Sequence, residues 1–249
     1  MSASFDVVAE AYEAMIDWNK RLANEAPLYR RVIDQIGAAS VVDAACGTGR
    51  HAAMFAQWGM KTEGADVNAK MIEHCRSRYA DKPGLSFQTR SFLEPAAEPA
   101  DAVICVGNSL ALVGSLPEVD TAIRALCASV RPGGAIVLHV LNLLSREEGP
   151  VRWDKCTRTT LSTGDVLIIK GTHRAGGQGY VDFLLTDLSV TPPRLTADNV
   201  RFLVLERAQL EAECRRGGCE TVEAYSNYHC EPFDSATSGD LIIVGRKHK

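Results

Sequence analysis

The sequence has no C-x-x-C pair, no sustained basic run, no internal repeat and no low-complexity linker. It also lacks the run of about 20 apolar residues that a bilayer-spanning helix needs, so no membrane anchor is expected. The first residues, MSASFDVVAEAYE, carry acids where a secretory leader needs a basic and then an apolar segment. Non-specific nucleic-acid binding requires clustered cations to displace counterions. Here 27 Lys and Arg are outweighed by 31 Asp and Glu, a net charge of −4, and the segments RYADK and ECRRGG are short and mixed in sign. Cysteine is not scarce, at eight residues, but its spacing does not frame a metal site. Cys46, Cys105 and Cys127 sit among apolar or small neighbours, as reduced buried thiols do. Cys214 and Cys219 straddle Gly217-Gly218 and can approach one another. The expectation is a cytoplasmic protein without a metal, a membrane or a nucleic-acid partner.

What is present points to one α/β domain with an added subdomain in 249 residues, 46% of them hydrophobic. The most informative stretch is Val41 to Gly49, VVDAACGTG, followed at once by the amphipathic RHAAMFAQW. Strand, tight turn and helix follow one another, and a helix start presents free N–H groups to a ligand. Gly47, Gly49 and Ala52 fit the dinucleotide pattern G-x-G-x-x-A. Read from Asp43, the same residues give D-x-A-x-G-x-G, which resembles the first motif of class I S-adenosylmethionine (SAM)-dependent methyltransferases, with Ala45 at the first glycine position. A strand-end carboxylate suits a cofactor bearing an ammonium and a sulfonium, and would repel a pyrophosphate. The bland alternative is a structural turn that holds no ligand.

Apolar spacing predicts a helix over residues 5–25, a second starting at Pro27 and stopping at Gly37, and helices over 50–58 and from Asn68, which reads as an N-cap. Strands are expected at Val41 to Ala44, Lys61 to Ala65, GLSFQTR, DAVICV and AIVLHV, with RPGG as a turn before the last. Pro117 opens a further helix. Alternation of this kind indicates βαβ units and a parallel sheet. The pattern changes after Leu143: TRTTLS, DVLIIKGTH and GYVDFLLTDLSV read as antiparallel strands, inserted as a β-rich lid or platform at about 152–195 and a candidate homodimer contact. Helix then returns at Glu206 to Arg216, and the strands ETVEAYS and DLIIVGRK close the chain.

Asp66 ends the second strand 23 residues after Asp43, the spacing at which a carboxylate accepts both ribose hydroxyls of a nucleoside cofactor. Val67 and Met71 would lie near the adenine, and the carboxylate is otherwise a helix-capping Asp. Asn108 follows the fourth strand. Its amide oxygen is expected to accept a hydrogen bond from a substrate amine, the alternative being a turn Asn bonded to its own backbone. His139, near the end of the fifth strand, is a candidate general base, or else a satisfied core histidine. Tyr12, Tyr225, Tyr228 and His229 are candidate pocket residues, or simply aromatic packing.

Beyond the first motif, VICVGNSLALV is similar to the post-strand motif of the glycine/sarcosine N-methyltransferase branch, as is RPGG followed by an apolar strand and Asn142. The N-terminal EAYEAMIDWNKRL resembles the leader that closes over SAM in small-molecule methyltransferases. The resemblance implies a Rossmann-like, seven-stranded, mostly parallel sheet with SAM at the carboxyl ends of its strands. It further implies cofactor contacts from Tyr12, Trp18, Arg21, Ala45, Gly47, Gly49, Val106, Ser91 and Phe92. Ser91 stands where an acid is usual, and Phe92 would pack on the base. Glycine-specific members carry an arginine for the substrate carboxylate where this chain has Leu141, which makes glycine a doubtful acceptor. Arg146, Arg158 and Arg174 are possible replacements. The implied domain plan is an N-terminal helical cap, 1–38, and a methyltransferase domain, 39–249. The implied activity is methyl transfer from SAM to a small molecule, at nitrogen rather than oxygen. Rival readings are an NAD-dependent oxidoreductase, for which no Tyr-x-x-x-Lys pair is placed, and a non-catalytic SAM-binding module.

Overall fold

The computed structural model describes residues 10, 11 and 13–249. Strands β1 (Ser40–Ala44), β2 (Lys61–Asp66), β3 (Leu85–Thr89), β4 (Ala100–Cys105) and β5 (Val130–Leu141) alternate with helices α1 (Trp18–Ile36), α2 (Arg50–Gln57), α3 (Ala69–Arg78) and α4 (Leu116–Ala128). Four strands follow, β6 (Arg152–Leu161), β7 (Gly164–Ala175), β8 (Gln178–Asp187) and β9 (Arg194–Phe202), then α5 (Arg207–Arg216), β10 (Cys219–Tyr225) and β11 (Asp240–Lys247).

The chain divides into two compact units. The larger, Leu22–Ser145 with Leu205–Lys249, holds a seven-stranded sheet in the order β10-β11-β5-β4-β1-β2-β3. Its first five strands in sequence are parallel, and β11 runs antiparallel between β5 and β10. The strand order reverses between β1 and β4. In open α/β sheets that reversal opens a crevice at the carboxyl ends of the strands, where ligands bind. The run ADAVIC is buried along its whole length, as a central parallel strand requires. Its one charge, Asp101, accepts the backbone N–H of Ala39 at 2.6 Å and of Ser40 at 2.8 Å, fixing the entry to β1. Leu28, Tyr29, Val32 and Ile33 of α1 and Met54 and Phe55 of α2 pack together with Val41, Ile104, Val137 and Ile242 of the sheet. Each side chain of that size contributes roughly 1.5–3 kcal/mol by burial.

The smaller unit comprises the described residues up to Arg21 together with Arg146–Val204. Its sheet is the antiparallel meander β6-β7-β8-β9, over which Ala11 and Met15 pack on Leu161, Val166 and Ile168.

Several local expectations change. The helix expected over 5–25 is interrupted at Ile16 and Asp17, and the part before Glu10 lies outside the described residues. Asp17 instead caps α1, accepting the Lys20 N–H at 3.0 Å. Pro27 is therefore inside α1 rather than at a helix start. The expected stop holds: Gly37 is left-handed at φ 60°, and Ala38 N–H reaches back to the Ile33 carbonyl at 3.0 Å while Gly37 N–H meets Asp34. RPGG is not a separate turn but part of β5, absorbed by a register shift against β4. The β-rich segment runs beyond 195, because Arg194–Phe202 adds a fourth strand along β8.

Candidate active site

The turn after β1 is built from left-handed backbone. Ala45, Gly47 and Gly49 have φ of 62°, 52° and 74°. Such angles favour glycine, and Gly49 has a second reason: a Cβ there would lie 3.0 Å from Cys75 Sγ and the Phe87 ring. A Cβ built on Gly47 would meet nothing within 4 Å, so this part of the turn borders open space. Gly49 also caps α2 in a left-handed conformation and without a side-chain bond.

Asp66 closes the turn from the neighbouring strand. One carboxylate oxygen accepts Gly47 N–H at 2.9 Å and the other accepts Asn68 N–H, also at 2.9 Å. Each oxygen keeps a second lone pair. Asn68 is the expected N-cap of α3, its side-chain oxygen accepting Lys70 and Met71 N–H. Val67 beside it is 72% exposed, an apolar group left uncovered at the end of β2. Ser91 and Phe92 follow β3 half-buried, and the Ser91 hydroxyl oxygen accepts Leu93 N–H at 3.1 Å.

Asp43 lies beneath the turn rather than along it. It is buried, and one oxygen accepts the Ala52 N–H of α2 at 3.1 Å. Burial pushes its carboxyl up to about 6, against the opposing pull of His51 and the Ala52 N–H. His51 in turn bonds Glu25 through Nε2 at 2.6 Å, and the Tyr29 hydroxyl donates to the same Glu25 oxygen at 3.0 Å. Glu25, His51, Tyr29 and Asp43 are all buried. This network was not expected from sequence; its only signal is the run of polar residues at helical spacing on otherwise apolar faces.

Across the crevice, the loop after β4 is tied to β5. Asn108 N–H donates to the His139 carbonyl at 3.2 Å, Gly107 N–H donates to His139 Nδ1 at 3.3 Å, and Asn108 Oδ1 accepts Leu141 N–H at 3.0 Å. A backbone N–H must donate, so Nδ1 carries the lone pair. The ring proton is thereby assigned to Nε2, which faces Asp240 Oδ1 at 3.1 Å. Both ring nitrogens are engaged, which argues against the expected general-base role for His139. The Asn108 oxygen is likewise occupied, so the group without a partner is its buried Nδ2, a donor rather than an acceptor. Asp240 begins β11 opposite Leu141, at the carboxyl edge of the sheet, with its side chain 40% exposed. Sequence reasoning passed over it because it reads as the polar start of an apolar strand.

Residues 41–134 match the family described as Methyltransferase domain. Glycine N-methyltransferase of Rattus norvegicus is 29% identical over 141 residues, covering 51% of this chain and 48% of that protein. The dTDP-3-amino-3,6-dideoxy-alpha-D-glucopyranose N,N-dimethyltransferase of Streptomyces fradiae is 30% identical over 137 residues, covering 53% and 52%. The similarity to methyltransferases thus centres on residues 41–134, the stretch that carries the glycine turn and Asp66. The matched stretch spans about half the length of these curated relatives. The fold of the chain is also that of a SAM-bound amino pentose methyltransferase from Micromonospora echinaspora, at TM-score 0.77 and 21% identity over 99% of both chains. A sugar N-methyltransferase from Streptoalloteichus gives TM-score 0.78 at 20% identity, covering all of this chain and 94% of that one.

The turn fits the SAM of the matched domain family on its own geometry: an open left-handed cradle at Gly47, a carboxylate at Asp66 and an uncovered apolar side chain at Val67. Ala45, Gly47, Gly49, Asp66, Val67, Ser91, Phe92 and Val106 belong to loops or strand ends on the crevice edge of the larger unit, and Met71 to the first turn of α3. Tyr12 lies outside the described residues. Trp18 and Arg21 belong to the smaller unit, where the Arg21 guanidinium lies 5.0 Å from the Trp18 ring centre. Arg146, Arg158 and Arg174 belong there too. Arg158 pairs with Asp165, Arg146 with Asp154, and Arg174 donates to the Arg146 carbonyl at 2.9 Å. Tyr228 is buried against Tyr29 and His139, and Tyr225 lies in β10 beside Arg31.

Proposed function

We propose that this chain transfers the methyl group of SAM to an amine nitrogen of a small molecule. The carrying observation is the junction of Gly47 and Asp66: an open backbone turn bridged at 2.9 Å to a carboxylate with spare lone pairs. That arrangement suits a ribose, whose hydroxyls donate to Asp66 while the turn lets the sugar approach. Val67, Met71 and Phe92 would sandwich the adenine, with Val106 and the N–H groups at the start of α2 bordering the rest. Asp43 acts through its field, offsetting the cofactor's positive charge from beneath the turn.

SAM, when bound, supplies an electrophilic methyl on a sulfonium. The protein's task is to hold the acceptor nitrogen in line, about 3 Å from that carbon. The β4 loop is rigid enough to do so, since Gly107 and Asn108 are each bonded to β5. An ammonium acceptor must first lose a proton. Asp240 is the proton acceptor we assign, with His139 holding its Oδ1 and the side chain 40% exposed. The names of relatives favour nitrogen: glycine, sarcosine and amino sugars are the acceptors stated for those proteins. We infer a reducing, cytoplasmic setting from the eight free cysteines, and a small metabolite rather than nucleic acid from the net charge of −4.

Calorimetric titration with SAM, S-adenosylhomocysteine and NAD tests the cofactor. Tight NAD binding with no heat from SAM would overturn the reading. Incubation with labelled SAM and a panel of amines and phenols then separates a nitrogen from an oxygen acceptor, and silence across a broad metabolite mixture would favour a binding module.

A further inference from the structure

The smaller unit gathers more positive charge than it neutralises. Lys170, Thr172 and Arg174 are alternate residues of β7, so their side chains share one face of its sheet. Asp154 of β6 lies on that face, because the Thr172 hydroxyl donates to its Oδ2 at 2.7 Å. Arg146, from the segment before β6, approaches the same oxygen at 3.7 Å, and Arg152 Nε stands 3.5 Å from Oδ1. Arg174 closes the group. Its Nη1 donates to the Arg146 carbonyl at 2.9 Å, and its Nη2 lies 4.0 Å from Glu148 Oε1. Four cations, Arg146, Arg152, Lys170 and Arg174, thus meet two carboxylates, Asp154 and Glu148. Burial lowers the pKa of the Lys170 ammonium. Asp154 opposes that, and repulsion from Lys155, its register partner on β6, from Arg21 and from Arg146 adds to it.

These contacts do not use up the guanidiniums. Arg146 Nη1 and Arg174 Nε are shielded from water and have no hydrogen-bond partner among the described residues. A charged donor left unpaired away from water is costly, and two in one cluster mark a place whose acceptor comes from outside the chain. The outer sides of the same groups are reachable. The side chains of Arg146 and Arg174 are 29% and 18% exposed, and that of Arg152 is 80% exposed. A guanidinium carries its donors in one rigid fork, so an anion that meets the outer nitrogens and turns the fork engages the shielded one as well. A carboxylate brings one charge and suits a single fork. A phosphate monoester brings nearly two charges and three oxygens, which matches an excess of two cations and two forks beside an ammonium.

We propose that Arg146, Arg174 and Lys170 form a binding site for the phosphoryl group of a small molecule, a phosphate monoester dianion, with Arg152 at its rim. All four residues belong to the smaller unit. The site is independent of the methyl-transfer reading.

The test follows inorganic phosphate and phenyl phosphate by phosphorus NMR as the full chain is added at fixed ionic strength, with circular dichroism to confirm folding. The expected result is saturable line broadening of both probes that acetate at the same concentration does not reverse. Arg146→Gln and Arg174→Gln should each weaken binding about tenfold or more, since each removes a charged fork. Arg158→Gln removes the same charge from an exposed pair with Asp165 on the same unit and should change affinity by less than about twofold. Asp154→Asn removes an opposing charge and should tighten binding. If an arginine variant fails to fold, the Asp154→Asn and Arg158→Gln proteins decide. The proposal is overturned by broadening that never saturates, that acetate abolishes, or that folded Arg146→Gln and Arg174→Gln leave unchanged. A loss as large with Arg158→Gln, or weaker binding in folded Asp154→Asn, overturns it equally.

Discussion

The side-chain oxygen of Asn108 accepts the backbone N–H of Leu141 at 3.0 Å, locking the loop after the fourth strand onto the end of the fifth. Asn108 does this from a left-handed backbone, φ 72°, which Asn tolerates better than most residues. Asn108→Ala removes the acceptor, leaves the Leu141 N–H without a partner and keeps the awkward angle. The expected loss is about 1–3 kcal/mol of stability, read from the urea midpoint. Asn108→Gly should lose less, because it relieves the backbone. Equal losses for the two would mean that the left-handed angle carries no cost.

Asp66 both shapes the cradle and is assigned to the ribose. Asp66→Ala should weaken SAM binding by about 1.5–3 kcal/mol, the range for bonds to a charged acceptor. The same substitution frees Gly47 N–H, so part of the loss is disorder of the turn. Adenosine and SAM titrated in parallel separate the contributions: a ribose contact predicts that both ligands weaken by a similar factor. Unchanged affinity for both would remove Asp66 from the site.

The parallel sheet, the places of its strands and the glycine turn were readable because continuous apolar runs and left-handed glycines are local signals, whereas the start of β5 was hidden by RPGG, which reads as a turn. The fourth strand of the smaller sheet was not readable. Arg194–Phe202 is polar and largely exposed, so nothing in its pattern marks it until β8 is there to pair with it. Pro27 misled for a related reason: a favoured helix opener was outweighed by the cap that Asp17 supplies nine residues after Val8, one helical turn before Arg21. His139 and Asn108 were legible as site-side residues, but not in their roles. Which nitrogen or oxygen is already bonded depends on residues 32 to 101 positions away. Asp240 stayed hidden because its importance comes from antiparallel pairing with β5, which no local pattern encodes.

Asp43 gives stability a pH dependence of unusual sign. Its folded value, about 6, lies above the ordinary 3.8, so the folded state holds a proton that the unfolded chain releases. Its contribution is therefore full below about 4 and is lost as pH rises through about 6. The shift corresponds to roughly 3 kcal/mol at most. Asp43→Asn keeps an oxygen for the Ala52 N–H and carries no charge. Relative to the parent, the variant should gain stability between pH 4 and pH 6 and hold that gain to neutrality, as seen in urea midpoints across that window. A constant difference at all pH values would show that the buried carboxyl does not titrate there.

Asp240 is the half-exposed partner of a histidine whose other nitrogen is already committed. If it takes the acceptor's proton, Asp240→Asn should lower the turnover of an ammonium acceptor by about 100-fold while leaving SAM affinity unchanged. The deficit should shrink as pH rises toward the acceptor's own pKa, where free amine no longer needs a base. A purely structural role for the His139–Asp240 pair predicts a deficit that does not change with pH.

Leu141 bears on the choice of acceptor. It ends the fifth strand at the position where, by the resemblance, glycine-specific methyltransferases carry an arginine. A free α-carboxylate would then enter without a bidentate partner, which is worth about 1.5–3 kcal/mol as a charge-assisted bond. Amines without a carboxylate, amino sugars among them, should therefore be turned over in preference to glycine and sarcosine when tested with labelled SAM. Leu141→Arg should narrow that gap by lowering the KM for glycine about tenfold or more, with little change for neutral amines. Efficient glycine methylation by the parent protein would show that a carboxylate anchor exists elsewhere.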